Sequence, residues 1–170
     1  KQCLVGSEMC IRDRSCNAPT RMLIPADKMD EAINISKETV LKLKVGNPQD
    51  ENISMGPVVN KNQFLKIKEY ISRGIEEGAT LVTGREETIT DNEKGYFISP
   101  TIFANVTKDM TISKEEIFGP VLSIIGYHSE EEAIDIANDS IYGLSGYISS
   151  NDTTKAKQFA SKLRTGMVHI

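Results

Sequence analysis

Val121-Leu122-Ser123-Ile124-Ile125-Gly126-Tyr127, followed by Glu130-Glu131-Glu132-Ala133-Ile134-Asp135-Ile136-Ala137-Asn138, is the stretch on which the fold turns. The first seven residues form a short apolar run between Pro120 and Ser129, the pattern of a buried strand. The next nine read as a helix opened by an acidic cluster, which suits the positive end of a helix dipole. Beyond them, residues 144–149 read as a strand, 152–163 as a helix and 166–170 as the opening of a final strand. Strands separated by helices need crossover connections, so the pattern predicts an α/β fold: a largely parallel sheet flanked by helices.

The same alternation extends toward the N-terminus. Residues 97–103 are extended but interrupted by Pro100, 85–95 form a charged exposed turn, and Thr80–Thr83 is a short strand. Phe64, Ile67, Ile71 and Ile75 recur at helical spacing and stop at Gly78. Residues 46–60 hold two Pro and two Gly and predict a loop. Met29, Ile33, Val40 and Leu43 mark a second helical stripe, with Asp27 as its candidate cap and Gly46 beyond its end. Arg21–Pro25 reads as a strand closed by proline, preceded by a short helical turn near residues 17–20. No linker divides residues 15–170, which predicts one domain; the apolar ending Met167-Val168-His169-Ile170 suggests that it is truncated.

Composition narrows the functional classes. With 39% hydrophobic and 26% charged residues, the 170-residue chain is neither disordered nor fibrous. A net charge of −4 offers no basic footprint for a nucleic-acid backbone. The longest apolar stretch, residues 121–126, falls far short of the ~18 residues of a membrane span. Cys3, Cys10 and Cys16 crowd one end in odd number, and His128 and His169 are isolated, so neither a disulfide framework nor a metal site is expected. Reduced, cytoplasmic thiols fit better and leave room for one reactive cysteine. The leader Cys3-Leu4-Val5-Gly6-Ser7-Glu8-Met9-Cys10-Ile11-Arg12-Asp13-Arg14 resembles translated sequencing-adapter read-through, a recurring artefact of metagenomic assemblies. Residues 1–14 are therefore set aside from the fold, and Cys3 and Cys10 from function.

Cys16 stands in Ser15-Cys16-Asn17-Ala18-Pro19-Thr20-Arg21. At the start of a helical turn, free N–H groups would favour its thiolate. On local physics alone, though, a lone cysteine is more often a small buried hydrophobe. Its neighbours carry more. The segment from Cys16 to Arg21 resembles the active-site cysteine segment of the NAD(P)-dependent aldehyde dehydrogenase superfamily. Four further blocks resemble that family in the same order. They are Val45-Gly46-Asn47-Pro48 with Met55-Gly56-Pro57, Gly95-Tyr96-Phe97 with Pro100-Thr101-Ile102-Phe103, Lys114-Glu115-Glu116-Ile117-Phe118-Gly119-Pro120-Val121, and Ala137-Asn138-Asp139 with Tyr142-Gly143-Leu144.

The resemblance implies most of an aldehyde dehydrogenase catalytic domain, oxidising a small-molecule aldehyde to a carboxylic acid with NAD or NADP. It makes Cys16 the nucleophile, which passes through a thiohemiacetal and a thioester, its own backbone N–H helping to hold the oxyanion. It gives Glu116 the nicotinamide ribose hydroxyls, since a carboxylate accepts two hydrogen bonds at once, and places Phe118 beside that end of the cofactor. Asn17 and Arg21 are expected to hold loop geometry. The family's cofactor domain, general-base glutamate and oxyanion asparagine precede the cysteine, and its dimer-forming strand follows this region. The resemblance implies that the parent is a homodimer or homotetramer, and the chain alone is expected to be inactive. Read without the resemblance, Glu115 and Glu116 are a solvated pair and Phe118 is core. Two other readings compete: a cofactor-free thiol acyl-transferase or esterase using Cys16, and a non-catalytic interaction domain.

Overall fold

The computed structural model describes residues 16–84 and 95–170, so the expected turn at 85–95 lies almost wholly outside the described residues. Six strands and five α-helices follow one another: β1 Arg21–Pro25, α1 Met29–Val40, α2 Lys61–Glu76, β2 Thr80–Thr83, β3 Thr101–Ala104, α3 Thr111–Lys114, β4 Val121–Tyr127, α4 Glu130–Asn138, β5 Ser145–Tyr147, α5 Thr153–Ala160 and β6 Met167–His169. The main sheet has the order β1-β4-β3-β2. Strands β1 and β3 both run parallel to β4, and β2 joins the far edge antiparallel to β3. The chain is α/β with a largely parallel sheet, as the strand–helix alternation predicts.

Alternation along the strands sorts the core onto two faces. Val121 and Ile125 of β4, Phe103 of β3 and Leu23 of β1 point to one face, where they meet Ile67 and Ile71 of α2, Ile112 of α3 and Ile136 of α4. Leu122 and Ile124, Ile102, and Met22 and Ile24 point to the other, against Met29, Ala32 and Val40 of α1. The sheet is thus sandwiched between helices. Ser123, the polar interruption in β4, is buried on the first face and satisfied by donating to the Ile112 carbonyl at 3.1 Å.

Helix α2 starts where the Asn60 side chain accepts the Gln63 N–H at 2.9 Å, and it ends at Gly78, whose φ of 92° few other residues adopt. Helix α4 opens with a reciprocal cap: Ser129 Oγ accepts from the Glu132 N–H, and the Glu132 carboxylate accepts from the His128 N–H at 2.6 Å. The acidic cluster therefore has structural work, and its first member, Glu130, pairs with Lys155 of α5. In α5, Asp152 caps the N–H of Lys155.

Several expectations need correction. Asp27 does not cap α1: a 3-10 turn at Ala26–Lys28 intervenes, and the cap position, Lys28, makes no side-chain cap bond. Helix α1 stops at Val40, leaving Leu43 beyond it, and its most buried residues are Ala32 and Ser36. Of the extended segment 97–103 only residues 101–103 enter the ladder, as part of β3, and α3 carries too few residues for any apolar period to announce it. Strands β5 and β6 pair parallel in a separate two-stranded sheet. No helical turn forms at residues 17–20; Cys16 and Asn17 sit in a turn and the chain then runs irregularly into β1. The Thr20 carbonyl already accepts the Ser123 N–H at 2.9 Å, so the backbone is committed to the sheet before a helix could close.

Candidate active site

Because β1 and β4 are parallel neighbours with Arg21 opposite Ser123, the residues that precede each strand leave the sheet at the same edge. Cys16 lies five positions before β1, and Glu116 and Phe118 lie five and three positions before β4. The topology brings to one edge three residues that are 100 and 102 positions apart along the chain (116 − 16 and 118 − 16).

Cys16 is exposed and free of any disulfide. The helix dipole expected behind it is absent, since the residues that follow form no helix. Its support is of another kind. The Asn17 carbonyl accepts hydrogen bonds from Ser145 Oγ at 3.1 Å and from the Tyr147 hydroxyl at 3.0 Å, both on β5. The Tyr147 ring stacks on His169 of β6, with centroids 4.6 Å apart. Arg21 closes the segment: its guanidinium donates to the Ile136 and Ala137 carbonyls at 3.0 and 2.9 Å, satisfying the C-terminal end of α4. Burial lowers the Arg21 pKa, and the nearby Asp139 charge opposes that shift. Arg21 therefore holds geometry from within the protein.

The second segment is built by α2. Phe118 is half-buried and has φ of 54°, a left-handed conformation that a bulky side chain rarely adopts. Gln63 Nε2 donates to the carbonyls of Ile117 at 2.9 Å and Phe118 at 3.0 Å, clamping the strained peptides. One turn on, Lys66 Nζ donates to the Glu116 carbonyl at 2.9 Å. Gly119 follows because there is no space for a side chain: a Cβ there would lie 2.7 Å from Ile67. Upstream, the Glu77 carboxylate accepts from the Thr111 N–H at 2.7 Å and from the Thr111 hydroxyl, anchoring α3. The Glu116 carboxylate is exposed and forms no ion pair among the described residues.

Gln63, Lys66, Ser145 and Tyr147 were not singled out by sequence. Gln63 carries a misleading signal, for Asn60-x-x-Gln63 has capping-box spacing, yet the amide reaches forward to residues 117 and 118. His169 is isolated in sequence but lies against Tyr147, and His128 is exposed beside α4. No group of three metal-ligating side chains occurs among the described residues.

Comparison with known proteins bears on the family and the fold. The profile described as the aldehyde dehydrogenase family matches residues 2–170. A 3-succinoylsemialdehyde-pyridine dehydrogenase from a Pseudomonas species is 46% identical over 166 residues, covering 98% of this chain and 35% of that protein. Among solved structures, a mutant of aldehyde dehydrogenase C from Pseudomonas syringae, complexed with NAD+ and octanal, superimposes with a TM-score of 0.88 at 41% identity. The match covers 91% of this chain and 32% of that one. An aldehyde dehydrogenase from Mycobacterium tuberculosis, complexed with NAD+, gives a TM-score of 0.88 at 44% identity, over 92% of this chain and 32% of the other. The chain spans about a third of the length of these relatives. With one profile spanning nearly its whole length, the chain belongs to the aldehyde dehydrogenase family.

Proposed function

We propose that residues 15–170 are the cysteine-bearing part of an NAD(P)-dependent aldehyde dehydrogenase that converts an aldehyde to a carboxylic acid. The observation that carries this reading is the shared sheet edge, which gathers the Cys16 turn and the 116–118 segment through the parallel β1–β4 pair. Relatives crystallised with NAD+, one of them also with octanal, support the cofactor and substrate class.

In this reading Cys16 Sγ, as thiolate, attacks the aldehyde carbon; a C–S bond forms and the carbonyl π pair moves onto oxygen. The backbone N–H of Cys16 helps hold that oxyanion. The donor set fits a dinucleotide: Glu116 offers an exposed carboxylate for two ribose hydroxyls, and Phe118 offers a half-buried aromatic ring on a backbone held by Gln63. When bound, NAD or NADP supplies the hydride acceptor. The resulting thioester on Cys16 is hydrolysed by water, releasing the acid and returning sulfur as thiolate. The base for that water and the phosphate-binding domain precede the cysteine in the family pattern, so the isolated chain adds aldehyde without turning over. The parent acts in the reducing cytoplasm as a homodimer or homotetramer.

The test is a hybrid enzyme in which residues 16–170 replace the matching segment of a full-length relative. It should reduce NAD or NADP in the presence of aldehyde, and Cys16→Ala should abolish this. Undiminished activity in that variant would remove Cys16 from the role. Cofactor-dependent oxidation by the isolated chain at the rate of a full-length relative would refute its inactivity.

A further inference from the structure

The two hydroxyls on the Asn17 carbonyl have no part in the chemistry above, yet they lie one peptide from the sulfur. We propose that Ser145 and Tyr147 are positioning residues for Cys16, an inference that rests on Cys16 being the nucleophile. A carbonyl oxygen has two lone pairs, and here both are taken, by Ser145 Oγ at 3.1 Å and the Tyr147 hydroxyl at 3.0 Å. Two donors arriving on one acceptor fix the plane of the peptide, where a single bond would leave it free to swing. The donors are alternate residues on β5 and so project from the same face of that strand.

Their own placement is fixed in turn. Tyr147 pairs with His169 across the β5–β6 ladder, and the rings stack at an interplanar angle of 14°. The ladder is tied to the rest of the protein through Asn138, which donates to the Lys162 carbonyl at 2.9 Å and accepts the Arg164 N–H at 2.7 Å. At its other end the active-site segment is held by the Thr20 carbonyl on Ser123. The segment is therefore stretched between two sheets, with its free thiol at the β5–β6 end. Orientation of the Cys16 backbone decides whether its N–H faces the oxygen that becomes negative when sulfur adds. A brace that fixes that backbone should matter for carbonyl addition and little for simple alkylation.

A trifluoromethyl ketone separates these two properties in the intact 170-residue chain. Sulfur adds to its carbonyl carbon, the oxygen takes up a proton from water, and no hydride can leave, so the hemithioketal accumulates and is read by 19F NMR. Cys16→Ala identifies the signal. Iodoacetamide alkylation is followed in parallel by mass spectrometry on the tryptic peptide 15–21. Loss of both hydroxyls in Ser145→Ala/Tyr147→Phe should weaken the adduct roughly tenfold while Cys16 alkylation changes by less than about twofold. Ser145→Thr, which keeps a hydroxyl, should hold the adduct nearly as tightly as the unaltered chain, where Ser145→Ala does not. Tyr147→Phe alone keeps the ring and its stack, so it serves if the double variant does not fold; about threefold weakening is expected. An adduct equally tight in the variants would overturn the brace. An adduct absent from the unaltered chain would instead sink the assignment of Cys16 as nucleophile, and the brace with it.

Discussion

Gln63 on α2 reaches across to the backbone of Phe118, its amide nitrogen 3.0 Å from the Phe118 carbonyl and 2.9 Å from that of Ile117. The same two peptides flank the left-handed turn at Phe118, so one side chain opposes a strain of about 1–3 kcal/mol.

Gln63→Ala should release that turn. We expect a loss of about 1–2 kcal/mol, the effect of leaving two carbonyls without their donor, and faster hydrogen exchange at Phe118 and Gly119. Chemical denaturation and exchange mass spectrometry measure both. Unchanged exchange would show that the turn is held by its flanking strand instead.

Gly119→Ala should destabilise by about 1–3 kcal/mol, because the added methyl lands within 2.7 Å of Ile67 Cδ1 and Cγ1 in a packed core. Pairing it with Ile67→Val, which removes the Cδ1 methyl, should recover part of the loss. A double variant no more stable than Gly119→Ala would place the clash elsewhere.

Arg21→Ala should lower stability by about 2–3 kcal/mol, since two charged hydrogen bonds at the end of α4 disappear together. Arg21→Lys should recover only a fraction, because an ammonium cannot present the planar fork that reaches both carbonyls. Denaturation midpoints decide this, and a fully stable lysine variant would reduce Arg21 to a point charge.

Asp50 gives a pH dependence. The Asn52 backbone N–H donates to its carboxylate at 2.9 Å, and the Asn52 side-chain amide donates at 3.0 Å. These bonds hold its pKa below the ordinary aspartate value, the backbone bond contributing most. A carboxyl lowered on folding stabilises the loop above its unfolded pKa and loses that contribution as pH falls through the folded value. An NMR titration should find Asp50 titrating below the ordinary aspartate value, and Asp50→Asn should flatten acid sensitivity in loop 46–60. A titration at the ordinary value would contradict the loop geometry.

The sequence announced β1, β2, β4 and α4, and β4 most plainly, because it is apolar toward both faces, with Val121 and Ile125 on one and Leu122 and Ile124 on the other. It located the core of α2 at Ile67 and Ile71 but carried the stripe on to Ile75, which is 40% exposed. It overstated helical character at 17–20, where Pro19 fits a first turn but the Thr20 carbonyl belongs to the sheet. Motifs singled out Cys16, Glu116 and Phe118, and parallel pairing brings their segments to one edge. The supporting residues were illegible for a physical reason. Gln63, Ser145 and Tyr147 act on backbone carbonyls 54 to 130 positions away, and a carbonyl leaves no side-chain signature.

The brace on Asn17 also sets an order of events during synthesis. Its donors are made 128 and 130 residues after the carbonyl they bind. At about 5–20 residues per second the Cys16 end waits roughly ten seconds on the ribosome before either arrives. Until β4 emerges, β1 also lacks its one partner strand among the described residues and remains an open edge able to pair with other chains. Within residues 16–170 the segment that is translated first is thus shaped last, and nascent chains stalled before residue 145 should carry a Cys16 that is alkylated as readily but adds to carbonyls more weakly.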